Sequence, residues 1–171
     1  MVRQLLQQNG FAYEEIYNVG LNSDTVQSML TEAATQVDPF LHSGSLWKTY
    51  AALWAGTNDL ALAGRTDSQV YADIVTWCTA RRAAGFKVVV SSIIARGATL
   101  PGNFETYRAS VNTQLRANWT TFADAFVDAA ADSRLSDATN TTYFNVDQVH
   151  LTTAGSQVYA GLMKDALLTI P

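Results

Sequence analysis

Reactive side chains are scarce in this 171-residue sequence, which has two histidines and one cysteine. His150 stands in Phe144-Asn145-Val146-Asp147-Gln148-Val149-His150-Leu151, with Asp147 one turn ahead of it. A carboxylate at that spacing reaches back to the imidazole Nδ1–H. It fixes the tautomer and leaves Nε2 to take a proton, which is what a general base needs. The same spacing also suits a turn stapled by Asp147, with His150 merely exposed. His42, in Leu41-His42-Ser43-Gly44, has no carboxylate at comparable spacing and reads as a surface residue.

Two further segments carry groups that donate hydrogen bonds to anions. Gly56-Thr57-Asn58-Asp59 follows a strongly apolar stretch, and the Asn58 carboxamide there can donate to an oxyanion developing on a substrate carbonyl. These residues would equally make an ordinary strand-to-helix turn. The loop Asn18-Val19-Gly20-Leu21-Asn22-Ser23-Asp24-Thr25 precedes a helix start. Outward backbone N–H groups and the positive end of the helix dipole favour an anion at such a place. As local structure it is a capping loop.

The elements that must position these groups alternate along the chain. Residues 1–8 hold helix formers, stopped by Asn9-Gly10. Residues 11–17 read as a strand. Val26, Met29, Leu30, Ala33 and Val37 follow at helical spacing, up to Asp38-Pro39. Residues 46–55 read as a strand, and Val70, Ile74, Trp77 and Cys78 as one face of a helix closed by Gly85. Residues 87–94 contain a continuous valine run, as expected of a strand buried on both faces. Phe104, Tyr107, Val111 and Leu115 mark the next helix, residues 122–129 a last strand, and residues from Thr153 onward a C-terminal helix. This alternation predicts an α/β protein with a parallel sheet covered by helices on both faces. Its reactive groups belong in the loops beyond the carboxyl ends of the strands.

Composition narrows the class further. With 48% apolar and 15% charged residues, the chain is too hydrophobic to be disordered. No repeat or linker divides residues 1–171, which read as a single domain. Eleven basic against 15 acidic residues give a net charge of −4 without a basic stripe, which argues against nucleic acid. No apolar run approaches the roughly 20 residues that span a bilayer. The first eight residues lack the apolar stretch of a secretory signal, and the sequence points to no location. Cys78, beside Trp77 on an apolar face, reads as a packing residue. The histidines and the cysteine are too far apart to form a recognisable metal set, and no cofactor is expected.

The order of the three polar segments is more specific than any one of them. Asn-x-Gly-x-x-x-Asp-Thr, then strand–Gly-Thr-Asn-Asp-Leu, then Asp-x-x-His-Leu-Thr-x-x-Gly before a final helix resembles the SGNH (GDSL-type) hydrolase family, from about Asn18 onward. The resemblance implies a three-layer α/β/α, flavodoxin-like fold. It implies cleavage of acyl esters, with a small-molecule ester or an acylated glycan as the partner. It implies Asp147 and His150 as the catalytic pair and Asn58 as an oxyanion donor. A family glycine supplies a second donor from its backbone; the matching position here is Ser23, whose N–H keeps the donor while its side chain narrows the pocket.

One family block has no counterpart. The Gly-Asp-Ser-Leu-like segment that ends the first strand and carries the nucleophilic serine should precede Asn18 by some tens of residues. Gly44-Ser45-Leu46 lacks the aspartate and precedes the wrong strand, and no Gly-x-Ser-x-Gly elbow occurs. The expectation is an N-terminally incomplete domain with its first strand absent, and an ester hydrolase impaired or dependent on an upstream segment. Ser91 and Ser92, at the end of the valine-rich strand, and Ser23 are the substitute hydroxyls on offer. Without one, His150 can still activate water at much reduced rate. The family's first strand is internal, and its loss leaves unpaired backbone. Direct pairing of its neighbours or a segment from another molecule, as in a homodimer, would close the gap; otherwise stability suffers. The competing reading is a non-catalytic module that keeps the cleft to bind an ester, an acyl chain or a glycan.

Overall fold

The computed structural model describes residues 15–42, 48–97 and 100–171. The expected helix over 1–8, most of the 11–17 strand, the start of the 46–55 strand and Gly44-Ser45-Leu46 lie outside these residues. Residues 15–17 are irregular rather than extended in a ladder.

Among the described residues, three strands form one parallel sheet in the order β1 (Tyr50–Leu53), β2 (Lys87–Ser91) and β3 (Ala125–Val127). Ala51 lies opposite Val88 and Leu53 opposite Val90, while Val90 faces Phe126 across the other ladder. Each strand is shorter than the apolar run that announced it. Ile93, Ile94, Phe122 and Ala123 are buried, yet they sit in the connections rather than in the ladders. Hydrophobicity reports burial, whereas a strand also needs a paired neighbour, so the 87–94 run overstates its strand at the carboxyl end and the 122–129 run at both ends.

Among the described residues, five α-helices accompany the sheet: α1 (Val26–Gln36), α2 (Thr57–Ala61), α3 (Asp67–Ala84), α4 (Phe104–Asn118) and α5 (Thr153–Leu168). Thr25 and Ser28 form a reciprocal capping box at the start of α1, and Thr66 and Gln69 form another at α3. The period-two alternation of the strands sorts their side chains between two cores. Ala51, Leu53, Val88 and Val90 pack with Val26, Ile74, Cys78 and Leu115 from α1, α3 and α4. Val89, Ala125 and Val127 point the other way, onto Phe144 and onto Met163 and Leu167 of α5. The result is three layers, α/β/α. Complete burial of each Val, Leu, Ile, Phe or Met side chain among these is worth about 1.5–3 kcal/mol. Cys78 is buried in the first core, which pushes its thiol up to about 12 and leaves it a packing residue.

Strand β1 pairs with β2 alone, so its second edge has no partner among the described residues. Directly after β1, Trp54 is 39% exposed and stacks on Tyr159 of α5, with ring centroids 3.8 Å apart.

Candidate active site

The turn between Phe144 and Leu151 is closed by an antiparallel bridge between those two residues and by Asn145 N–H donating to His150 O at 2.8 Å. Within it, the two carboxylate oxygens of Asp147 do different things. Oδ1 accepts the backbone N–H groups of Val149 and His150, both at 2.9 Å, and Oδ2 lies 2.7 Å from His150 Nδ1. The stapled turn and the oriented base are therefore one arrangement, not alternatives. The His150 side chain is 69% exposed, and its hydrogen bond at Nδ1 leaves Nε2 available for proton transfer.

The backbone N–H of His150, then its ring, then the N–H of Val149 hold the Asp147 carboxyl down to about 2 from 3.8. A depressed folded-state value means that this contact stabilises the fold at pH above the unfolded value. The contribution is lost as pH falls from near 4 through about 2. In a ¹³C-detected titration, the Asp147 carboxyl should show a midpoint near 2. In His150→Ala the midpoint should rise only part of the way to 3.8, because the backbone donors remain. A wild-type midpoint near 3.8 would contradict the contact.

The Leu-Thr-x-x-Gly that follows His150 anchors this turn to α5. Thr152 Oγ1 accepts Gly155 N–H at 3.2 Å and donates to Thr142 O at 2.7 Å. A Cβ at Gly155 would collide with the Tyr143 carbonyl oxygen, so only glycine lets the first turn of α5 lie against this segment.

At the end of β1, Gly56 turns the chain into α2 with φ of +108°, and a Cβ there would come within 2.6 Å of Ile93 Cδ1. The next residues clamp the 18–25 loop. Asn58 Nδ2 donates to Asp24 O at 3.0 Å. Asp59 is fully buried, and its two oxygens accept Val26 N–H at 3.1 and 3.0 Å. Burial raises the Asp59 carboxyl, while the Val26 N–H and the Arg65 charge oppose the shift. Asp59 thus ties the start of α1 to α2, a role that a turn reading of Gly-Thr-Asn-Asp does not reveal.

Ser23 has φ of +62°, in the left-handed region, and its N–H has no acceptor among the described residues. A family glycine at this position is explained by that backbone angle. Ser23→Gly removes a left-handed penalty of about 1–2 kcal/mol and adds an unfolded-state entropy cost of about 0.5–1 kcal/mol. The expected outcome is a small rise in urea-unfolding stability; a loss would contradict the strain.

Two cavities meet at these groups. One, of about 850 Å³, is lined by Trp54, Asn58, Ile93, Arg96, His150 and Tyr159 among others. The other, of about 390 Å³, is lined by Leu21, Ser23, Asn58, Leu62, Arg96 and His150 among others. The larger lies within the range of small-molecule sites. His150 and Asn58 thus line both cavities and Ser23 the smaller one, three distant stretches meeting at one place, with Asp147 behind His150 through its hydrogen bond. Arg96, which lines both cavities, was not singled out by sequence; its only signal was a basic residue beyond the carboxyl end of a strand.

Ser91 and Ser92 lie elsewhere in their bonding. Both are buried. The Ser91 hydroxyl bonds the Tyr159 hydroxyl at 2.7 Å, and the Ser92 hydroxyl accepts Ala130 N–H at 2.8 Å. The imidazole of His150 bonds neither, and these commitments weigh against either serine as nucleophile. Among the described residues no three His, Cys, Asp or Glu side chains gather as metal ligands, and no helix is long and apolar enough to cross a membrane.

A parallel sheet between helix layers, with an acid–histidine pair before the last helix and an asparagine past a strand end, defines an SGNH-type hydrolase fold. The chain belongs to the GDSL-like lipase/acylhydrolase family, whose pattern it matches over residues 1–158. Its fold resembles a GDSL-like lipase from Bacteroides thetaiotaomicron VPI-5482 (TM-score 0.67, 19% identity, covering 97% of this chain and 79% of that one). It also resembles a lipase/acylhydrolase from Enterococcus faecalis (TM-score 0.71, 14% identity, 96% and 83%). A third similar structure is a catalytic serine-to-alanine mutant of an acetylxylan esterase from Geobacillus stearothermophilus (TM-score 0.73, 15% identity, 99% and 78%). No curated protein matches the chain.

Proposed function

We propose that this chain carries the acid–base and oxyanion parts of an acyl-ester hydrolase. The supporting observation is that His150, bonded at Nδ1 by Asp147, and Asn58 line the same two cavities. As a nucleophilic oxygen attacks the acyl carbonyl, His150 Nε2 takes its proton. The carbonyl oxygen becomes an oxyanion held by Asn58 Nδ2–H and Ser23 N–H. Collapse breaks the ester C–O bond, and the alcohol leaves with the proton from His150, while Asp147 holds the ring in the tautomer this requires. With a serine nucleophile, water activated by His150 then attacks the acyl-serine, releasing the carboxylic acid and restoring the hydroxyl.

The nucleophile in this reading is a serine hydroxyl brought by a segment outside the described residues. The Geobacillus esterase, whose catalytic mutant lacks a serine, supports that assignment. The edge of β1 that has no partner among the described residues is where such a segment, or a strand from a second copy of the chain, would pair. Without it, water attacks in its place and turnover is slow. Short acyl esters and acetylated glycans are the favoured substrates, in keeping with the acylhydrolase and acetylxylan esterase neighbours.

Hydrolysis of p-nitrophenyl acetate, p-nitrophenyl butyrate and an acetylated xylo-oligosaccharide, compared between wild type and His150→Ala, tests this reading. Turnover that disappears with His150 supports it, and equal rates in the two proteins would end it. The second reading, a binding module, is favoured by the lack of any hydroxyl bonded to the His150 ring among the described residues. It requires saturable binding of these esters with no turnover.

A further inference from the structure

Arg96 lies on the connection that follows β2, and the neighbouring Gly97 N–H donates to Gln148 O at 2.8 Å, joining this connection to the His150 turn. Its Nη1 donates to Asn58 Oδ1 at 3.0 Å and to Thr57 Oγ1 at 3.4 Å. On its other side, Asn58 Nδ2 donates to Asp24 O at 3.0 Å. A carboxamide has one acceptor oxygen and two N–H donors, and half a turn about its last bond exchanges them. Turned over, Asn58 would set its oxygen against the Asp24 carbonyl and its NH₂ against the guanidinium. Both contacts would be repulsive. The two neighbours therefore select one orientation, and among the described residues it leaves a single Nδ2–H unused.

The charge matters as well as the position. The hydrogen bonds of Arg96 among the described residues go to neutral groups. A guanidinium remains cationic in proteins. Bonded to the amide oxygen, it draws electron density from the nitrogen and strengthens the remaining N–H as a donor.

We infer that Arg96 is a positioning residue of the oxyanion site, holding the Asn58 carboxamide with its spare N–H directed to substrate and reinforcing that donor. The effect on turnover rests on the hydrolase reading; the effect on Asn58 does not. The test uses Arg96→Met, which removes charge and donors, and Arg96→Lys, which keeps both in simpler form. ¹⁵N relaxation reads the Asn58 side chain, and p-nitrophenyl acetate hydrolysis reads kcat and KM. In wild type the Asn58 Nδ2 order parameter should approach the value of about 0.85 typical of rigid backbone. In Arg96→Met it should fall below about 0.6 with the backbone amide spectrum otherwise retained. Arg96→Lys should recover most of that order. Where turnover is measurable, kcat should drop about tenfold in Arg96→Met with KM within about twofold, a fraction of the cost of deleting an oxyanion donor. A rigid Asn58 in a folded Arg96→Met protein would overturn the inference. If His150-dependent turnover persisted there at the wild-type rate, the hydrolase reading would survive that failure. If wild type shows no such turnover, the relaxation data alone decide.

Discussion

His150→Ala is expected to lower kcat for ester hydrolysis about 10²- to 10⁴-fold, with KM within about threefold. That range is what a positioned general base contributes. The loss should fall on kcat because the Nε2 of His150 handles a proton that moves only during reaction. The exposed ring contributes little to substrate affinity by comparison. Fold stability should change little, since most of the turn is held by backbone groups: Asp147 Oδ1 keeps Val149 N–H, and Asn145 N–H keeps the carbonyl of residue 150. Initial-rate kinetics and urea unfolding on the same preparation separate these effects. A large loss of stability would contradict the view that backbone groups hold most of the turn.

Asn58→Ala is expected to cost about 10²–10³ in kcat, the range for deleting one oxyanion donor. It also removes the bond to Asp24 O, worth about 1 kcal/mol of stability. Asn58→Asp separates the N–H donor from the contact with Arg96. An aspartate there keeps an acceptor for Arg96 but has no N–H for the oxyanion, and its negative charge opposes the one that develops. Activity should fall at least as far as in Asn58→Ala, although the contact with Arg96 survives. Wild-type kcat in Asn58→Asp would exclude the carboxamide as an oxyanion donor.

Much of this site was legible because its residues act locally. Asp147 and His150 share one turn, so their spacing alone placed the carboxylate at Nδ1. The valine run at 87–94 correctly announced a strand between two cores, with Val88 and Val90 on one face and Val89 on the other. The contacts that did not show through are those between elements far apart in sequence. Asp59 closing on Val26 N–H and Arg96 closing on Asn58 both join distant segments, and no periodicity records such pairs. Ser91 and Ser92 stand at a strand end where the fold gathers reactive groups, yet their side chains turn to Tyr159 and Ala130. Which way a strand-end hydroxyl points depends on the partner waiting for it, and that is a tertiary fact.

The most direct measurement is a ¹H–¹⁵N titration of the wild-type chain with butyrate, a carboxylate of the kind that ester cleavage releases. The account predicts that the Asn58 side-chain amide, the Ser23 backbone amide and the His150 ring shift together along one saturable curve. Separate curves for these three groups, or shifts confined to another face of the molecule, would contradict it.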